Sequence, residues 1–298
     1  MVKGGAMFLI GENLNVMSKK IGEALKRKDP APIREMALMQ AKAGMDMIDI
    51  NLGPARKEGP ELMEWVVKTV QEAVDLPLSL DTTNIEAMEA GLRVHRGKPL
   101  INSISARPER ISALMPLASK YNAGFIGLTL GTEGIPRDAN ERGLLAAQIL
   151  AEAANYGIPE EVIWLDPIVL PINSQQIQVH GCTEFVMMLS DLAPNSKSTC
   201  GLSNVSNGAP NHLRGIINRT YLIMIKRYGM YSAIVDAFDE ELKAIAKCQR
   251  PELENLVYRI MDGDDINFSA FSKLETEYVK TAKVLLGHTI YSDSWLEL

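Results

Sequence analysis

Eight short apolar runs, spread along the whole chain, each end in an amide, a carboxylate or a hydroxyl. They read FLIGENLN (8–15), MDMIDINLG (45–53), PLSLDTTN (77–84), KPLINSIS (98–105), GFIGLTLG (124–131), VIWLDPIVL (162–170), STCGLSNVS (198–206) and SAIVDAFDE (232–240). Their polar ends supply Asn13, Asn51, Asp81, Asn102, Thr129, Asp166, Asn204 and Asp236. A run that is apolar throughout suits a parallel strand covered on both faces. The runs start roughly 20–40 residues apart, which leaves space for the helix that each βα unit needs.

Helical spacing fills those gaps. PIREMALMQAKAG (32–44) repeats Ile33, Met36, Met39 and Ala43 and stops at a glycine. PELMEWVVKTVQEAV (60–74) opens on proline, which is tolerated in a first turn. NIEAMEAGLRVHRG (84–97) starts at an Asn cap, and PERISALMPLASKYNAG (108–124) holds Pro116, a site for a kink. Asp138 followed by Glu141 has the form of a capping box ahead of a helix to about Tyr156. TEFVMMLSDLA (183–193) and HLRGIINRTYLIMIKRYG (212–229) continue the alternation.

Eight parallel strands can close into a barrel or open into a doubly wound sheet. GENLN, after the first apolar stretch, lacks the G-x-G-x-x-G phosphate turn, and polar residues end all the strands. Both point to a TIM (β/α)8 barrel, whose strand ends meet at one face. The chain is expected to be a single domain, residues 1–298. Residues 251–273 fall outside the repeat and predict an inserted helix, striped by Leu253, Leu256, Val257 and Ile260, followed by a loop outside the barrel.

Composition narrows the partners. The net charge is −6 with no basic run, which argues against nucleic acid. No stretch is long and apolar enough for a signal peptide or a membrane span, so a cytoplasmic protein is expected. Cys182, Cys200 and Cys248 are an odd number at wide spacing and read as small buried hydrophobes. The four histidines, His95, His180, His212 and His288, stand at no ligand spacing, and no metal site is expected.

The chemistry then rests on carboxylates and amides. Asp81 and Asp166 can accept N–H donors, while Asn102 and Asn204 offer both acceptor and donor. Such a set suits a flat heterocycle whose edge alternates N–H donors with carbonyl and ring-nitrogen acceptors, as a pterin does. Each side chain alone could equally cap a helix or satisfy a loop.

On DINLGPA (49–55), LDTTN (80–84), INS (101–103), IGLTLGTEGIPRD (126–138), DPIVLP (166–171), GLSNVS (201–206), INRTYL (217–222) and DAFDE (236–240), the chain resembles the pterin-binding, corrinoid-dependent methyltransferases. The nearest likeness is to the methyltetrahydrofolate:corrinoid/iron-sulfur protein methyltransferases. It runs from GENLN to about residue 245 and resumes at 281–294. The resemblance implies a homodimeric pterin-binding TIM barrel that exchanges the N5-methyl of methyltetrahydrofolate with the Co(I) corrinoid of a partner protein. It places Asp81, Asn102 and Asp166 on the pterin ring and Asn204 on N5, with Glu12, Asn51 and Asp236 completing the binding set. Asn204 and Asp81 are the expected catalytic residues. Where related chains carry an arginine for the folate tail this one has His212, which leaves Arg214 or Arg219 as alternatives. No D-x-H-x-x-G corrinoid motif is present, so the cobalt cofactor is expected on a separate corrinoid protein. Two other readings are a dihydropteroate synthase and a noncatalytic folate-binding protein. The first calls for a Lys near the seventh strand and an S-x-R-x-H motif, where this chain has GLSNVS and YSDSW.

Overall fold

Alternation decides which residues line the inside of a parallel barrel, because successive side chains of a strand point to opposite faces. The computed structural model describes residues 5–55, 58–264 and 271–297. Among these, the strands are β1 (Phe8–Asn15), β2 (Met47–Gly53), β3 (Leu78–Thr82), β4 (Leu100–Ser105), β5 (Gly124–Leu128), β6 (Ile163–Asp166), β7 (Lys197–Ser198) and β8 (Ser232–Val235). They hydrogen-bond in the order β7-β6-β5-β4-β3-β2-β1-β8, every neighbour parallel.

The ring closes weakly. Between β7 and β8 the backbone contributes a single bridge, Gly201 to Ile234, where the Ile234 N–H donates to the Cys200 carbonyl at 2.8 Å. Serines take over the rest of the seam. The Tyr231 N–H donates to Ser198 Oγ at 2.9 Å, and Ser232 Oγ donates to the Ser198 carbonyl at 3.2 Å. The run STCGLSNVS is therefore not a long strand. After Ser198 it turns at Gly201 into a 3-10 helix, Leu202–Ser206. Serine and asparagine side chains there bond the local backbone and compete with a ladder.

The barrel interior divides by height. Ile10, Met47, Leu100, Ile126 and Trp164 pack together with Phe8 and Ile234 in the lower layers. At the floor, Trp164 meets Phe8 and Tyr231 edge-on, and the Lys197 ammonium lies 4.9 Å from the Trp164 ring centre. Two residues further along the same inward rows come Glu12, Asp49, Asn102, Asp166 and Asp236, with Asn51 a further two beyond Asp49, so the polar groups sit toward the carboxyl ends.

The outer layer holds α1 (Lys19–Arg27), α2 (Pro30–Lys42), α3 (Gly59–Ala73), α4 (Ile85–Val94), α5 (Pro108–Lys120), α6 (Ala139–Asn155), α7 (Ile172–Leu192), α8 (Asn211–Arg227), α9 (Glu240–Ala246), α10 (Pro251–Met261) and α11 (Lys273–Leu285). Asn84 caps α4 through the Ala87 N–H at 2.9 Å. Half of the expected box forms at α6: Asp138 accepts from the Glu141 N–H, but the Glu141 carboxylate turns to Arg137. Pro116 stays inside α5. Helix α1 is additional to the sequence reading, and α7 begins well before residue 183, with a non-helical residue at Gln175.

The inserted helix is α10, while residues 265–270 of the expected loop lie outside the described residues. Its stripe, Leu253, Leu256, Val257 and Ile260, is buried with the core around α8 and α11, so it is part of the wall. From α8, the Lys226 ammonium reaches Glu254 Oε1 at 2.7 Å and the Ile245 carbonyl at 3.0 Å, with Lys226 only 1% exposed. Among the described residues no helix is long and apolar enough to cross a membrane.

Candidate active site

The carboxyl ends of β2, β3 and β4 carry a polar nest. Register places Asn51 beside Asp81 and Asp81 beside Asn102 on neighbouring strands. Asp49 forms its base, accepting from Ser79 Oγ at 2.6 Å and from Asn102 Nδ2 at 3.0 Å. Above it, Asn51 Nδ2 donates to Asp81 Oδ2, and the Gly53 N–H donates to Asn51 Oδ1 at 3.0 Å. Burial raises both carboxyls above the ordinary range, and the charge of Asp49 raises Asp81 further. Two buried carboxyls so close favour holding a proton.

Asp49 is a residue the sequence reading missed. The signal was present: in MIDINLG it shares a strand face with Asn51, two positions on.

Across the barrel, Asp166 ends β6. Its main-chain carbonyl accepts from Thr129 N at 3.1 Å and Thr129 Oγ1 at 2.9 Å, so Thr129 is committed to holding this strand end. Its Oδ1 accepts from the Ile168 N–H at 2.7 Å. Burial pushes this carboxyl up to about 7, against the pull of the Ile168 N–H and the Arg142 charge. Glu12, on β1, is likewise pushed up to about 7, by burial first, with Ser203 Oγ donating to it at 2.9 Å in partial compensation.

Asn204 is exposed on the 3-10 turn rather than on a strand end. Its Oδ1 accepts from Asn207 Nδ2 at 3.2 Å. Its Nδ2 leans over Gly201, where an added Cβ would stand 2.9 Å away. Arg214 braces this turn, with Nε donating to Ser206 Oγ at 3.1 Å and Nη2 to Asn207 Oδ1 at 3.3 Å. Arg219 is bound to Asp239 at 2.8 Å, which leaves Arg214, near Glu12, as the cation closer to the mouth; His212 is exposed. Asn13 and Asp236 serve each other: Asn13 Nδ2 donates to Asp236 Oδ1 at 2.9 Å, and Asn13 Oδ1 accepts from the Ala237 N–H at 2.9 Å.

After these bonds, Asp81 Oδ1, Asn102 Oδ1 and Asp166 Oδ2 are among the acceptors left without a partner among the described residues, as are Glu12 Oε1, Asp49 Oδ2 and Asp236 Oδ2, and Asn204 Nδ2 is left as a donor. Among the described residues no three His, Cys, Asp or Glu side chains are grouped to hold a metal ion. Cys182 and Cys200 are buried as expected, whereas Cys248 is exposed.

A closed parallel barrel with carboxylates and amides at its carboxyl face defines a class of sites for flat, hydrogen-bonding heterocycles. The pterin binding enzyme family matches residues 11–236, and the chain belongs to it. It is 28% identical over 238 residues to the methylcorrinoid:tetrahydrofolate methyltransferase of Eubacterium limosum, covering 79% of this chain and 87% of that one. It is 27% identical over 243 residues to methionine synthase of Mycobacterium tuberculosis, covering 78% of this chain but only 20% of that protein. The dihydropteroate synthase of Stenotrophomonas maltophilia superposes with a TM-score of 0.64 at 16% identity, over 84% of this chain and 93% of that one. A Yersinia pestis DHPS structure with a pterine-sulfa conjugate gives 0.62 at 17% identity, over 83% and 94%. These structural likenesses carry the barrel fold. The Eubacterium limosum relative is named for methyl transfer between a methylcorrinoid and tetrahydrofolate.

Proposed function

We propose that the protein moves a methyl group between N5 of methyltetrahydrofolate and the Co(I) corrinoid of a separate protein. The observation that carries this is the division of the barrel mouth. Asp81, Asn102 and Asp166 each keep an acceptor oxygen without a partner among the described residues, and an amide donor, Asn204, stands across from β3 on the turn after β7. The relative named for exchange between a methylcorrinoid and tetrahydrofolate supports the same reading.

In the reaction, the N5–CH3 bond breaks as a carbon–cobalt bond forms, the cobalt passing from Co(I) to Co(III). N5 retains the bonding pair and gains a proton. An amide does not titrate, so Asn204 Nδ2 acts by hydrogen bonding to N5 as its charge changes, a contribution of roughly 2–4 kcal/mol. Asp81 holds the pterin, and the proton that N5 gains comes from solvent through a network that includes Asp81. Glu12, Asn51 and Asp236 complete the binding set. The same reading takes residues 1–298 as a single domain, and the working form as a cytoplasmic homodimer that receives a corrinoid protein over the barrel mouth.

The test is anaerobic mixing of the pure protein with methyltetrahydrofolate and cob(I)alamin, followed by the cobalt spectrum. Loss of the Co(I) band with growth of methyl-Co(III) is the expected result. Folate binding with an unchanged cobalt spectrum would establish a noncatalytic binder.

A further inference from the structure

Helix α6 buries an arginine that has no carboxylate partner. Arg142 is 0% exposed, and the oxygens that accept from its guanidinium are all neutral. Nε donates to the Pro167 carbonyl at 2.8 Å, Nη1 to the Asp138 carbonyl at 3.0 Å and Nη2 to Gln178 Oε1 at 2.9 Å. Burying a guanidinium with no hydrogen-bonded carboxylate costs free energy that an apolar residue would not, and the Asp166 carboxyl, whose acidity the Arg142 charge strengthens, is an ionisable group it acts on.

What the arginine holds is the turn that follows Asp166. Ile168 has φ +62°, a conformation that is a genuine outlier for a β-branched residue and persists only where its surroundings impose it. Here they do. The Ile168 N–H is held by Asp166 Oδ1 at 2.7 Å, the Pro167 carbonyl by Arg142, and the Ile168 carbonyl by Cys182 Sγ at 3.2 Å. Thr129 fixes the Asp166 carbonyl on the other side. Every main-chain polar group of the turn is thereby used, and Asp166 Oδ2 alone is left over.

We infer that Arg142 is a positioning residue that locks the 166–168 turn and so presents the free oxygen of Asp166 to the pterin edge. This rests on the reading of Asp166 as a pterin contact. Cys182 is the second, lesser tether of the same turn.

A double-mutant cycle on the full chain tests it, with the dissociation constant of methyltetrahydrofolate as the measurement and a thermal melt to show that each variant is folded. Asp166→Asn and Arg142→Met are each expected to weaken binding, roughly tenfold to a hundredfold for a lost hydrogen bond to a charged group. The double variant is expected to bind no worse than Asp166→Asn alone, because Arg142 acts through Asp166. Losses that multiply, or native affinity in Arg142→Met, would overturn the inference while leaving the pterin reading intact. Should Arg142→Met not fold, Cys182→Ala replaces it in the cycle. It is expected to bind about threefold more weakly, and only while Asp166 is present; an equal loss in the Asp166→Asn background would overturn the inference. Native affinity in Asp166→Asn would remove the pterin contact itself and the inference with it.

Discussion

The two sides of the barrel mouth are built differently. On the β2–β4 side each strand pairs with its neighbour up to the polar tips, and the side chains are bonded in two pairs, Asn51 to Asp81 and Asn102 to Asp49. On the β7 side the ladder shrinks to two residues and one bridge, and Asn204 stands exposed on a 3-10 turn. Recognition of an unchanging ring benefits from groups fixed beforehand. An atom whose bonding changes during reaction benefits from a donor that can settle as it changes. On the proposed reading the first side holds the ring, with Asp81 also in the proton network, and Asn204 on the second side acts in the chemical step.

The largest expected effect separates the two sides most sharply. Asn204→Ala is expected to lower methyl transfer about 10²–10³-fold, with a small change in methyltetrahydrofolate affinity; stopped-flow transfer and equilibrium binding measure the two. Equal losses in both would erase the distinction. Asp81→Asn should weaken binding roughly tenfold to a hundredfold, as titration calorimetry would show, and slow transfer as well through the lost proton route.

A third test uses acidity. Glu12 and Asp166, both pushed up to about 7, hold protons in the folded chain that the unfolded chain releases near pH 4. The folded state therefore binds more protons between these values, and stability falls as pH rises from about 4 to about 7. The ligand-free melting temperature is expected to increase on acidification from about pH 7 to about pH 5, with a shallower slope in Asp166→Asn. A flat profile in the native chain would contradict this. Smallest of all, Ser198→Ala removes the acceptor that receives the Tyr231 N–H at the seam and should cost about 1–3 kcal/mol in denaturant unfolding.

Much of this was readable beforehand where one strong pattern governed. The apolar runs with polar tips gave the strand positions, and the capping Asn84 and the proline-led helices gave most of the wall. Reading failed where side chains compete with the backbone. GLSNVS looked like a strand end and is a 3-10 turn. INSQQIQVHGC, polar and interrupted at Gln175, hid the first part of α7. Helix α1 carried a legible signal in Ser18 followed by Ile21, Ala24 and Leu25, but its surface is dominated by lysines. Asp49 belonged to the inward row and was passed over for the residue at the tip.

The ion pair between Lys226 and Glu254 gives α10 a meaning beyond packing. Breaking a buried pair by removing one member costs about 3–5 kcal/mol, so neither position can be lost on its own. An engineer who shortened this chain by removing α10 would strand the Lys226 ammonium in the core, and would have to exchange that lysine for an apolar residue in the same step.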